Sequence, residues 1–479
     1  MKKIHIILLF LIGITFLSCT KNFEDFNTDE KKATVVPAQF LFASAQKALA
    51  DQYSSTNVNL NNWKLFAQYW TETTYTDEAN YDVVTRNIGN FMSRAYYRDM
   101  LNDLKEARRV IDLETPVGTD AEVAKSNQLY TIDILESFIY EEMIMIFGNI
   151  PYTAALDIEN LSPVYDDAQT IYEILIAKTQ AAVAGLNPTG EAFGSNDLMM
   201  GGDVSMWIKF GNTLLVKMGM TLAPVNAALS KSTVEAAYTG GFSYGERCEF
   251  AYLGGSNSNP LYQDLIQGGR HDFVAANTII DLMTSLNDPR MPKYFEINGD
   301  TYIGGTYGET SPFALFSHVN DRIQQDNYAS VMLDYMDMAF YLAEAIERGG
   351  YNITGTAAEW YNNGVKSSME YWGVATADVD TYLAQPSVAY SSADWKQKIG
   401  TQSWLGYYVR GLEGWTSYRR LGAPTMNIPP DPASSADGAV PRRHTYAINE
   451  QTLNATNYAA AAAAIGGDKL STKLFWDKN

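Results

Sequence analysis

Apolar residues recur at steps of three and four through most of the chain, a spacing that predicts helices. The pattern is clearest between Tyr328 and Trp372. Tyr328, Val331, Met332, Tyr335, Ala339, Leu342 and Ile346 would line one face of a first helix, and Gly349 and Gly350 supply the freedom its end needs. Thr356, followed three residues later by Glu359, reads as a capping box that restarts a helix, with Tyr361, Val365, Met369 and Trp372 on its inner side. Small Ala345, Ala357 and Gly364 around Tyr361 fit either an ordinary helical hairpin or a tetratricopeptide-type unit.

The same spacing predicts a helix opened by Pro37, a second over Trp63 to Trp70, a third over Phe91 to Leu113 and a fourth over Ala121 to Phe147. A fifth follows the caps Asp166 and Asp167, and a sixth carries Trp207, Phe210, Leu214 and Met218. Periodicity is lost from Thr71 to Asn90, where aromatics mix with amide and charged groups, and the stretch reads as a loop with chemical content. Between Gly240 and Asn327 paired glycines break the chain, leaving one convincing helix, Ala275 to Leu286, and strand-like scraps at Glu249 to Leu253 and Thr301 to Ile303. Later helices are expected over Ala393 to Tyr408 and Leu412 to Tyr418, with irregular chain from Pro424 to Pro441.

Composition narrows the function classes. The 479 residues carry a formal charge of −20, which argues against nucleic acid and against basic-patch binding to anionic lipid. Tyr numbers 31 against Phe at 20, so many rings bring a polar handle suited to half-exposed surfaces. Lys2 and Lys3, an apolar run from Ile6 to Leu17, and Ser18 before Cys19 resemble a bacterial lipoprotein signal. Residues 1–18 are then a leader, Cys19 carries the lipid, 19–36 is a polar tether, and 37–479 is a single domain. The longest later apolar segment, Ile132 to Phe147, is interrupted by Asp133, Glu136, Glu141 and Glu142, so the chain is expected to be anchored rather than inserted. Cys248 alone would remain beside Cys19, leaving no internal disulfide.

Several blocks occur in an order similar to that of the SusD/RagB-like outer-membrane lipoproteins of Bacteroidetes, in the SusD-like branch. They are Phe147-Gly148-Asn149-Ile150-Pro151-Tyr152 before Pro163 and Tyr165-Asp166, then Gly202-Asp203 with Trp207, Lys209, Phe210 and Asn212. Asp288-Pro289-Arg290, Ala343-Glu344-Ala345 and Arg348-Gly349 follow. Glu413-Gly414-Trp415, Tyr418-Arg419-Arg420, Pro441-Arg442-Arg443, Tyr446, Glu450, Asn454 and Trp476-Asp477 complete the set. Glu30, Gly414 and Leu421 depart from the usual residues at their positions. The resemblance implies a mainly α fold: tetratricopeptide-like helical repeats in a right-handed superhelix with a loop-rich lobe, here about 240–327 and 375–440. It also implies a cell-surface lipoprotein of the outer membrane that captures glycan and delivers it to a TonB-dependent SusC-like transporter.

A glycan shows apolar ring faces and hydroxyl edges, so its site needs aromatic platforms beside amide and guanidinium donors. Tyr75, Asn80, Tyr81, Arg86 and Asn87 meet that need in one loop, and Tyr302 and Tyr307, with Phe313 and Phe316, in another. Arg419, Arg420, Arg442 and Arg443 are expected to pair with acids such as Glu413 and Glu450, Trp415 and Trp476 to be core, and Asp288-Pro289-Arg290 to be a turn. No cofactor is expected. No metal is expected either, because no acidic loop has calcium spacing and His271, His318 and His444 lack second ligands at helical spacing. Nothing picks out a catalytic carboxylate pair or nucleophile, so the chain is read as a non-enzyme. Peptide capture, a surface glycoside hydrolase and a pure scaffold are the alternatives.

Overall fold

The computed structural model describes residues 36–479, so the expected leader, Cys19 and all but the last residue of the expected tether lie outside the described residues. Helices α1 (Ala38–Ser54), α2 (Asn102–Leu113), α3 (Thr119–Phe147), α4 (Ala168–Gly185), α5 (Val204–Leu222) and α6 (Ala227–Ala237) build the first part of the chain. They pack as the pairs α1/α2, α3/α4 and α5/α6. Helices α7 (Tyr335–Arg348) and α8 (Ala357–Tyr371) form a fourth pair, with α7 resting on α5. Then α9 (Trp395–Gly406) and α10 (Gly411–Leu421) pack on each other, and α9 also on α7 and α8. The fold is mainly helical, as expected, and among the described residues no helix is long and apolar enough to cross a membrane.

Among the described residues four short strands complete it: β1 (Trp70–Glu72), β2 (Arg247–Phe250), β3 (Phe273–Ala275) and β4 (Ser330–Asp334), paired antiparallel as β1 with β3 and β2 with β4. The strand β4 corrects one expectation. Tyr328, Val331 and Met332 belong to no helix; α7 starts at Tyr335, where the Asp334 carboxylate accepts from Asp337 N and Asp337 accepts from Asp334 N. Four of the five β4 residues are buried, so apolar positions fall on both faces and mimic helical spacing. The expected second helix is likewise only one turn, Trp63–Phe66, before β1 begins. The second capping box is present, with Glu359 N donating to Thr356 Oγ1 at 3.2 Å and Thr356 N to Glu359 Oε2 at 2.8 Å. A side chain at Gly364 would come within 2.9 Å of the Phe340 ring, so the small residue sets the α7/α8 approach.

Charge is buried in the core and paired there. Lys217 of α5 bonds Glu141 of α3 at 2.9 Å and Glu413 of α10 at 2.7 Å, and burial holds the neighbouring Glu142, reached by Tyr53 and Tyr96, well above the usual carboxylate range. The expected arginine partners are corrected by these contacts. Arg420 pairs with Glu344 at 2.9 Å, Arg442 with Asp477 and Arg443 with Asp468, while Glu450 accepts from Tyr165. Arg419 pairs with no acid among the described residues: it donates to Met145 O at 2.6 Å and lies over the rings of Trp415 and Trp476. Asp288-Pro289-Arg290 is more than a turn. Its fully buried ion pair, 2.6 Å long, also receives Tyr382 and reaches Ser368 of α8 and Gln402 of α9.

The block Phe147-Gly148-Asn149-Ile150-Pro151-Tyr152 at the end of α3 has a local cause in backbone geometry and hydrogen bonding. Gly148 takes φ +83°, and Asp166 accepts from the backbone N–H groups of Tyr152 at 2.9 Å and Thr153 at 2.8 Å, holding the turn, while Asp167 alone caps α4.

Candidate functional site

The three-residue ladder of β1 and β3 organises one face of the molecule. Its register, Trp70 with Ala275 and Glu72 with Phe273, continues as Thr73 N donates to Asp272 O at 2.9 Å and Thr73 Oγ1 to His271 O at 2.6 Å. The loops 73–90 and 263–272 therefore leave the ladder side by side. A third loop joins them, with Gly305 N bonded to Ala275 O at 2.8 Å and Ala275 N to Ser317 O at 2.9 Å. Gly305 admits no side chain, since a Cβ would sit 2.5 Å from Ser311 Oγ. From below, Ala433 N bonds Asn80 O at 2.7 Å, which ties the irregular 424–441 segment to the first loop.

Two cavities open where the loops meet, and both are walled by Arg270, Asp272 and Phe273. The first, about 210 Å³, is faced by His271, Glu296, Phe313, His318 and Asp321. Phe313 is stacked between the two imidazoles, its centroid 4.2 Å from that of His271 and 3.6 Å from that of His318. His318 Nε2 lies 2.7 Å from Phe313 O; a carbonyl only accepts, so Nε2 carries the proton and the ring is fixed. The second cavity, about 300 Å³, is polar and faced by Asn57, Asn59, Arg86, Gln263 and Asp264. Arg86 is held by the buried Glu78 through Nε alone. Arg270 grips Asp272 with both Nε and Nη2; that bond raises its pKa, and the phenol of Tyr75 acts in the same direction. Among the described residues no group of three or more His, Cys, Asp or Glu side chains is placed to hold a metal ion.

The residues singled out by sequence divide into two groups. Tyr75 is 63% exposed, Arg86 lines the second cavity, and Tyr302 is half-buried with Glu296 near enough to raise its phenol further after burial has done so. Tyr81 and Tyr307 are core residues and offer no ring face: Tyr81 accepts from Gln68 at 3.2 Å, and Tyr307 donates to Leu65 O at 2.7 Å. Asn80 is a strut, its amide bonded to Thr76 O and Gly308 O at 2.8 and 2.7 Å, and Asn87 takes φ +53° at the start of the helix that follows. Phe316 is half-buried beside the first cavity's loop. Asn57, Asn59, Arg270, Asp272, Glu296 and Asp321 were not anticipated. Their one visible cue is the Gly268-Gly269 pair before Arg270-His271-Asp272.

Known proteins agree with this architecture. The solved structure of a SusD homolog from Bacteroides uniformis is 23% identical, with a TM-score of 0.80 over 92% of this chain and 99% of that one. A chitin-binding protein is 24% identical, with a TM-score of 0.79 over 92% of this chain and 100% of that one. A chitin-binding SusD homolog from Flavobacterium johnsoniae is 21% identical, with a TM-score of 0.74 over 92% and 98%. No curated protein matches. The family model described as starch-binding associating with outer membrane matches residues 30–447, nearly the whole described chain, so the protein belongs to the SusD-like family.

Proposed function

We propose that this face captures glycan at the outer membrane and that the protein hands it to a TonB-dependent SusC-like transporter. The observation that carries the reading is the fixed stack of His271, Phe313 and His318 beside a polar cavity rimmed by Asn57, Asn59 and Arg86. The exposed imidazole of His271, backed by Phe313, takes a sugar face, and amide and guanidinium donors take hydroxyl edges. Tyr75, exposed and near enough to Arg270 to act on it, and half-buried Tyr302, near Glu296, add further rings close to the cavity walls. Pre-fixed rings lose little rotamer freedom on binding, which favours useful affinity from a shallow site. The printed descriptions of the family, starch-binding, and of two solved relatives, chitin-binding, support a carbohydrate ligand.

In this reading Cys19 carries the lipid, the stretch to residue 36 is the tether, and the role is capture without bond cleavage. Affinity electrophoresis of the protein through gels containing a panel of polysaccharides, with reducing ends assayed on the same samples, tests it. Retardation without release is expected, and Phe313→Ala should abolish retardation by removing the centre of the stack. Release of reducing ends overturns the non-catalytic role. Absence of retardation by every glycan overturns carbohydrate capture in favour of peptide capture or a scaffold.

A further inference from the structure

A third cavity, about 180 Å³, opens at the end of α3 and shares no wall residue with the other two. Phe147, Ile150 and Leu156 give it apolar walls, and Tyr97, Tyr165 and Tyr446 add three rings. Its polar groups are mostly spent. Tyr97 donates to Pro151 O at 2.6 Å, and Glu450 Oε2 accepts from Tyr165 at 3.1 Å and from Asn454 Nδ2 at 3.2 Å. Left over among the described residues are Glu450 Oε1, the Ser93 hydroxyl and the Tyr446 hydroxyl. The last is the most telling, because Tyr446 is only 3% exposed and its oxygen is buried with no hydrogen-bond partner among the described residues. Arg443, which lies over the Tyr446 ring, is committed to Phe147 O and Asp468. A buried hydroxyl left unpaired is a standing cost that a ligand can remove.

The mouth of this cavity is apolar. Asn454 Nδ2 donates to Pro163 O at 2.8 Å and Asn457 Nδ2 to Ser162 O at 2.9 Å, which lays the 157–165 loop beside the 453–457 segment. Leu161, 84% exposed, and Leu453, 71% exposed, therefore stand on neighbouring stretches, with Ile158 and Val164 also exposed. Exposed apolar clusters around a pocket mark places where another molecule docks. A sugar is excluded from this one, because three polar points in an apolar cavity leave most of its hydroxyls unpaired. A tyrosine side chain fits: its ring meets the apolar walls, and its hydroxyl can donate to Glu450 Oε1 while accepting from Tyr446. Neither 149–167 nor 444–464 contains a lysine or arginine, whereas Asp157, Glu159 and Glu450 lie in them. Lys105 reaches the loop, but its ammonium is bonded to Leu156 O. These acids disfavour an anionic lipid surface and favour a partner with basic flanks. We propose that the cavity is the anchor pocket of a second interaction surface and takes a tyrosine side chain, flanked by lysine or arginine, from a partner protein. The inference does not rest on the glycan-capture reading.

Titration calorimetry with the full-length protein in detergent at neutral pH tests this. The probes are the capped tripeptides Lys-Tyr-Lys, Lys-Phe-Lys, Lys-Ala-Lys and Glu-Tyr-Glu, and free p-cresol. Lys-Tyr-Lys is expected to bind about tenfold more tightly than Lys-Ala-Lys, and more tightly than the other three probes. Ala155→Trp, which fills the cavity from its loop side, should abolish that binding with the melting temperature unchanged. Tyr446→Phe should erase the preference for Lys-Tyr-Lys over Lys-Phe-Lys while melting no lower than wild type, since it removes an unpaired hydroxyl. Lys-Tyr-Lys binding that matches Lys-Ala-Lys, persists in Ala155→Trp or is undetectable overturns the proposal. Equal binding of Glu-Tyr-Glu overturns the basic partner, and p-cresol binding as tightly as Lys-Tyr-Lys overturns a protein occupant. Sedimentation of the same samples completes the test: a wild-type dimer that Ala155→Trp abolishes puts a second copy in the pocket and overturns the partner named here.

Discussion

Glu72 and Glu78 are buried against each other beneath the 73–90 loop, Glu72 accepting from Ala79 N at 2.9 Å and Glu78 pairing with Arg86. Burial, then the facing Glu78, push Glu72 up to about 9, so it is neutral at pH 7. Its folded pKa lies above its unfolded one, so the stability it contributes is full below about 4.5 and is lost as pH rises toward about 9. Glu72→Gln, which keeps the neutral form, should flatten the fall in melting temperature between pH 5 and pH 9 and melt higher than wild type at pH 9. His444 acts on the other side. Burial draws it down to about 4, its Nε2 lacks a partner, and its stabilising effect is full above about 6.5 and lost as pH falls through 4. His444→Phe should shallow the acid limb of the same melting curves, and an unchanged limb would show that its titration is not linked to unfolding. At this scale little was readable in advance. Tyr81 and Tyr307 look like surface rings in a glycine-rich, polar context, yet burial is decided by the partners Gln68 and Leu65 O, which adjacency does not reveal.

At the scale of elements, helices α3, α4, α5 and α8 were legible because apolar residues recur along each at helical spacing and two have a cap that names its own start, Asp167 for α4 and Thr356 for α8. Of the strands only β2 was, through the scrap Glu249 to Leu253 that overlaps it; β1, β3 and β4 were not, since three- to five-residue ladders bring no period of their own and their partners lie far apart in the chain, as with Glu72 and Phe273. That ladder is nonetheless what sets loops 73–90 and 263–272 side by side, so the site's placement was hidden while its loops were visible. Gly364 is the element-scale test. Gly364→Val forces a branched side chain into the Phe340 ring across the α7/α8 contact and should cost about 2 kcal/mol in urea unfolding, whereas a neutral result would mean that the pair does not pack at that point.

The whole molecule is held together by buried polar hubs that join distant segments. Asp288 and Arg290 connect the segment between β3 and β4 to α8 and α9 through Ser368 and Gln402, and Arg443 ties the C-terminal segment to Phe147 O at the end of α3. Asp288→Asn leaves the Arg290 charge buried and unbalanced and should cost about 4 kcal/mol, read as a lower urea midpoint. Such hubs fix the segment between β3 and β4 against the helical pairs, which holds the ring stack and the two cavities in one arrangement before ligand arrives. The measurement that bears most directly on this account is retardation by glycan of wild type, Phe313→Ala and Arg86→Ala in the same gels. The account predicts retardation of wild type by at least one glycan, loss in Phe313→Ala and about a tenfold weakening in Arg86→Ala, with no sugar released. Retardation that is the same in all three would contradict it, because the binding face would then lie elsewhere on the molecule.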